Sequence, residues 1–297
     1  MSDSTAKYAG RAIAKRARVL LERLLEVQES GEAEAIHQAR VACRRARAAI
    51  KVFESELPDN ARRWRKWISR AGFGFSEVRD MDIMIDLAES SLEEAPAEAR
   101  LGIERIILRL KQGREKISRT AVVDASKLAG AKTLAQMEAL DPGEKIQPDD
   151  DLVEFAKRVV ARRFNRFFKN AKDFDAATMS AEELHKVRIA AKQLRYSMEV
   201  FRKLLPVDRP IEAGRSLQDA LGEINDATAL QSYLDGFIET ERERTIEYFG
   251  DEEAFDGLEP GISFLTAWLD RRLVALRGQA AELWETLAPV WQGVEFQ

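Results

Sequence analysis

Between Ile36 and Phe53 the apolar residues recur at Ile36, Ala39, Cys43, Ala46, Ile50 and Phe53. This spacing of three and four residues in turn lies along one face of an α-helix and along no face of a strand. One position on, about 100° round the same helix, runs a second seam: His37, Arg40, Arg44, Arg47 and Lys51. No acidic residue interrupts positions 37–53. Solvated helix faces usually alternate sign to gain i,i+4 pairs. An unbroken cation seam beside a packing seam is instead a ridge of charge held rigid and shown to something.

Helical periodicity extends through the rest of the chain. Ala, Leu, Glu and Arg dominate, glycine and proline are few, and no run alternates as a half-buried strand would. The pattern predicts helices over 5–30 and 32–56 and a short basic helix over 60–70, with Trp64, Trp67 and Ile68 as its apolar side. A turn is expected at Gly72 and Gly74. Further helices are predicted over 76–90, from Pro96 to about 118, over 120–140, and over 152–174. The capping pair Ser180 and Glu183 opens another that ends at Pro206. The remaining helices are 211–221, 223–234, one through the acidic stretch 239–259, read as solvated surface, and 264–284. Residues 141–150, DPGEKIQPDD, read as a linker. The expectation is an all-α chain of two tandem helical-bundle repeats, 1–145 and 150–297, packed into one compact unit.

The second half repeats the cation seam. Laying His37 on His185, the other histidine of the two in the chain, places Arg40 on Arg188, Arg44 on Lys192, Arg47 on Arg195 and Phe53 on Phe201. The apolar seam follows as Leu184, Val187, Ala191, Leu194 and Met198, again one position before the basic one. On the preceding helices Lys15 falls on Arg163 and Arg18 on Arg166; Arg11 shares the face of Lys15 and Arg18, and Arg162 directly precedes Arg163. Downstream, FSEVRDMD and LGEINDAT pair Asp80 with Asp226 after a two-residue indel. Lys51, however, falls on Glu199, so the second ridge is shorter.

This twice-repeated H-x-x-R-x-x-x-R/K-x-x-R, each followed by a helix starting R/N-D, resembles the CHAD family, the conserved-histidine α-helical domain. The resemblance covers essentially the whole chain. It implies two four-helix bundles related by pseudo-twofold symmetry, a basic channel between them, and binding of inorganic polyphosphate without catalysis. Members are often fused to a triphosphate-tunnel domain, but the chain has no strand pattern for one, and its nearest approach to ExExK, residues 241–245, ends in Thr245.

The residues agree with such a ligand. Polyphosphate carries roughly one charge per phosphoryl unit, and cations on successive helix turns sit about 5 Å apart at 1.5 Å per residue. Arginine contacts phosphate oxygens in bidentate fashion, and lysine supplies a point charge. The expected site is His37, Arg40, Arg44, Arg47, Lys51, His185, Arg188, Lys192 and Arg195, with Lys15, Arg18, Arg163 and Arg166 beside it and Arg11 and Arg162 at its margin. Nucleic acid competes as ligand, because Trp64 and Trp67 lie among Arg62, Arg63, Arg65 and Lys66; their spacing favours a buried seam. A metal scaffold on the histidines with Asp80, Asp82 and Asp226 is disfavoured by the flanking arginines. A third reading is an accessory subunit of a phosphate-transfer enzyme. No P-loop, Mg²⁺-binding carboxylate cluster or nucleophile–base pair is visible, so no cofactor, no metal and no hydrolysis are expected.

Net charge is −4 although 33% of residues are charged, so a basic groove would sit on an acidic body. The single cysteine, Cys43, lies on the packing seam and asks for no oxidising compartment. With a charged N-terminus and no apolar run of membrane length, the expectation is a cytoplasmic protein with no membrane partner. Polyphosphate binding would place it on polyphosphate granules.

Overall fold

The computed structural model describes residues 3–144 and 146–292. They form ten helices and, among the described residues, no strand: α1 (Asp3–Ser30), α2 (Ala33–Val52), α3 (Ala61–Ser91), α4 (Ala97–Ala129), α5 (Lys132–Glu138), α6 (Asp150–Asn170), α7 (Ala181–Phe201), α8 (Asp208–Phe249), α9 (Glu253–Asp256) and α10 (Glu259–Gln292). The expected all-α class is what the chain adopts. None of these helices is long and apolar enough to cross a membrane.

Local chemistry sets several ends. Gly31, at φ 62°, takes the left-handed conformation that closes α1, and its N–H donates to the Val27 carbonyl at 2.9 Å. The Asp149 carboxylate caps α6 through the Leu152 N–H at 2.9 Å. Ser180 and Glu183 make the predicted capping box at α7. Three helices run longer than their patterns suggest. α3 passes straight through Gly72 and Gly74, joining two predicted helices into one. A Cβ on Gly72 would lie 3.2 Å from that of Cys43, so the glycine lets α2 and α3 approach closely and makes no turn. α4 continues to Ala129, and α8 absorbs three predicted helices through Gly222 and Gly236. Tertiary packing outweighs the modest helix penalty of an interior glycine.

Helices α1 to α4 close a four-helix ring: α1 packs on α2, α2 on α3, α3 on α4, and α4 returns to α1. α6, α7, α8 and α10 follow the same order, and Phe167 of α6 meets Trp284 and Trp291 of α10. The two quartets meet where α2 touches α7, α3 touches α8 and α4 crosses α10. An aromatic knot of Tyr8, Phe53, Phe155 and Phe201 joins them, with Phe53 and Phe201 edge to face at 5.5 Å. A contiguous apolar core spans both quartets and takes in the predicted seams, including Cys43, Trp64 and Met198.

The acidic stretch 239–259 is not solvated throughout. Glu241 is buried and accepts from Arg105 at 2.8 Å and Arg109 at 2.7 Å, tying α8 to α4. Burial alone would raise this carboxyl, but the two arginines outweigh it and hold it low. Of the predicted linker, Lys145 lies outside the described residues.

Candidate functional site

The apolar seam of α2 is buried at Ile36, Ala39, Cys43, Ala46 and Ile50, which turns the neighbouring cation seam toward the junction of the quartets. There a cleft of about 490 Å³ opens between α2, α3, α6 and α7. α2 contributes Arg40, Arg44, Arg47 and Lys51; α3 contributes Arg65, Ser69, Gly72 and Ser76; α6 contributes Arg163 and Arg166; α7 contributes Lys192, Gln193, Tyr196 and Ser197. Eight of its lining residues are cations and none is a carboxylate.

Neutral partners hold several of these side chains in place. Arg40 Nε donates to Ser76 Oγ at 3.2 Å, and Ser76 donates in turn to the Gly72 carbonyl at 2.8 Å. Arg163 donates to the Gln193 side-chain oxygen at 3.2 Å. The Arg44 guanidinium lies 5.3 Å over the Tyr196 ring, and its buried Nε has no hydrogen-bond partner among the described residues. Lys51 is braced at the edge by Glu54 at 3.0 Å, which also meets Arg65 at 3.3 Å. Burial lowers the pKa of Arg44 and Arg163, and neighbouring arginines add to it; guanidinium nevertheless stays charged. Lysine is more easily moved: burial, with Arg188, Arg44 and Arg40 nearby, brings Lys192 down to about 7.

The structure separates the remaining predicted residues. His185 is exposed, lies 3.4 Å from Asn225 Oδ1, and lines a smaller cavity of about 240 Å³ between α7 and α8 together with Arg188. Arg188 lies within electrostatic reach of Asp226, Arg40 and Asp80, and its Nε is buried without a hydrogen-bond partner among the described residues. His37 is half-buried, its Nδ1 likewise unpaired; burial first, then Arg79, Arg40 and Arg44, lower its pKa. The ligand-free site thus favours a neutral His37, and neither histidine lines the large cleft.

Five further predicted residues lie outside this cleft. Arg195 is buried, donating to Gln218 at 3.1 Å and Glu199 at 2.5 Å, so it braces α7 where its repeat partner Arg47 stays exposed. Lys15 faces a separate cavity with Arg16, Arg45 and Glu199. Arg18 pairs with Asp141 at 2.8 Å, and Arg11 bonds the Glu144 carbonyl, so both anchor the linker to α1. Arg162 is exposed on α6 beyond the cleft lining. In return the cleft adds Arg65 and Tyr196. Arg65 was legible, because Arg65, Ser69, Gly72 and Ser76 form a stripe at i, i+4, i+7 and i+11 on α3. Tyr196 carried no such signal, since its neighbour Arg195 holds the seam position.

Among the described residues no group of three or more His, Cys, Asp or Glu could hold a metal ion. Cys43 touches the cleft, but burial pushes its thiol up to about 12, so it is a packing residue and not a nucleophile.

A wholly helical pair of bundles with cations gathered at the junction defines the class. The CHAD domain family model matches residues 11–235, most of the chain, which therefore belongs to that family. The fold is similar to the crystal structure of the CHAD domain from the plant Ricinus communis, with a TM-score of 0.70 at 19% identity over 98% of this chain and 92% of that one. It is also similar to PptA from Streptomyces chartreusis, with a TM-score of 0.60 at 16% identity over 97% and 98%. No curated protein matches in sequence.

Proposed function

We propose that the chain binds inorganic polyphosphate in the cleft between α2, α3, α6 and α7 and does not act on it chemically. The observation that carries this reading is the lining itself, eight cations and no carboxylate on four helices braced by a common core. A linear polymer with a charge on every phosphoryl unit matches such a track, and release of its counterions supplies most of the binding free energy. Nucleic acid fits less well. Single strands bind by stacking bases on accessible aromatic faces, whereas Trp64 is buried with its indole donating to Gln136 at 3.3 Å and Tyr196 is buried with two guanidinium groups over its ring.

The test is a titration of long-chain polyphosphate, short polyphosphate and single-stranded RNA at matched phosphate concentration and physiological salt. Wild type is expected to prefer polyphosphate to RNA. The double variant Arg44→Glu/Lys192→Glu is expected to weaken polyphosphate binding by more than about 100-fold, since two charge-assisted contacts are lost and two repulsions gained. Tighter binding of RNA, or a double variant that binds normally, would overturn the proposal.

A further inference from the structure

Tyr196 is only 5% exposed, and its hydroxyl is buried without a hydrogen-bond partner among the described residues. Two guanidinium groups lie over the ring, that of Arg44 at 5.3 Å and that of Arg195 at 4.6 Å from its centroid. Arg195 is itself fixed by Gln218 and Glu199, so the phenol has little freedom to turn elsewhere. A phenylalanine ring would meet the two arginines equally well. The hydroxyl therefore adds nothing to the packing and leaves a buried polar group unpaired, an arrangement that folded proteins mostly avoid.

Its surroundings suggest what would satisfy it. Tyr196 shares the cleft lining with Arg44, whose buried Nε is also unpaired, and with Lys192, which has no ion-pair partner among the described residues. These three side chains are buried or half-buried, whereas Arg47, Lys51 and Arg166 of the same cleft are exposed. The exposed cations act on a ligand through screened charge. The deeper set can make directed hydrogen bonds, and a hydroxyl with a guanidinium and an ammonium is the donor set of a tetrahedral oxyanion.

We propose that Tyr196, with Arg44 and Lys192, forms a subsite at the cleft floor that holds a single phosphoryl group, the phenol donating to one of its oxygens. This rests on the polyphosphate reading and deepens it: the rim attracts the polymer by charge, and the floor recognises one phosphoryl group by geometry.

The test compares wild type with Tyr196→Phe, using pyrophosphate and long-chain polyphosphate as separate probes and thermal unfolding of the ligand-free protein as a third measurement. The expected result is pyrophosphate affinity weakened about tenfold or more, together with an unfolding temperature equal to or above that of wild type, because an unpaired buried hydroxyl has been removed. Equal affinity of the two proteins for both probes would overturn the subsite while leaving polymer binding intact. A wild type that takes pyrophosphate through Tyr196 but ignores the polymer would keep the subsite and overturn the polymer reading. Failure to bind either anion would remove both. A lower unfolding temperature, or a variant that fails to fold, would show that the hydroxyl is already used within the protein and would also overturn the subsite.

Discussion

Lys192 stands with Arg188 on its own helix and Arg40 and Arg44 on α2, opposed by Asp226 on α8 and, on α3, Asp80. Burial brings it to about 7, so near neutrality the ligand-free protein holds this lysine half-charged. Between about 7 and the ordinary lysine value of 10.5, the unfolded chain keeps a proton that the folded protein sheds. Stability against unfolding therefore rises with pH across that window as far as this group decides it, and the full penalty is present below 7. Polyphosphate bound as proposed would reverse the local field and draw the proton back. Affinity is expected to fall as pH rises from 7 to 9, with uptake of up to one proton per site at the upper end. Calorimetry in buffers of different ionisation enthalpy would count that proton. Lys192→Arg, which stays charged, should flatten the pH profile; an equally steep profile in that variant would assign the proton elsewhere. The seam position of Lys192 was legible from the repeat. Its proton affinity was not, because it depends on burial and on charges brought in from α2 and α8.

At the scale of helices, the crossing of α4 and α10 depends on two glycines. A Cβ on Gly102 would sit 2.2 Å from the Leu258 carbonyl oxygen, and one on Gly261 would lie 2.6 Å from the Gly102 Cα. Backbone meets backbone there and neither side can give way. Gly102→Ala is expected to destabilise the protein by roughly 1–3 kcal/mol in chemical denaturation, the usual cost of overpacking. Gly222 in α8 is the contrast, with nothing within 4 Å of its would-be Cβ. Gly222→Ala should add about 0.5–1 kcal/mol by improving helix propensity. Opposite signs for the two glycine-to-alanine changes would be the evidence; equal effects would mean that the crossing can adjust. Sequence alone could not tell what each of these glycines meets. The pattern runs a helix through Gly102 but breaks at Gly222, and it places a turn at Gly72 and Gly74, where α8 and α3 are continuous. The apolar seams were read correctly, because a face that repeats over five or six turns outweighs one residue's preference.

For the molecule as a whole, charge distribution matters more than charge total. The chain carries 47 basic and 51 acidic side chains, yet eight cations meet in a cleft without a lining carboxylate. If binding is driven by counterion release, the logarithm of affinity falls linearly with the logarithm of salt concentration. Eight cations set a limit of about −6 for the slope at roughly 0.7 per neutralised phosphate. A measured slope near zero would show that binding is not electrostatic in origin. Glu199 also bears on the shape of the site. Where the first half presents Lys51, the second presents a carboxylate that binds Arg195 and lies 3.5 Å from Arg45. Cation density is consequently lopsided, with four lining cations on α2 and one on α7.

Periodicity by itself determined that the chain is helical throughout, which face of each long helix is buried, and that the same His-and-cation seam occurs twice. Those are local properties, because an α-helix converts spacing in sequence directly into direction in space. Only the tertiary structure decided which cations face a common cleft. The linker took Arg11 and Arg18, Gln218 and Glu199 took Arg195, a separate cavity took Lys15, and α3 and α7 brought in Arg65 and Tyr196. Spacing along one helix states which way a side chain leaves the axis; what waits there is set by residues far away in the chain.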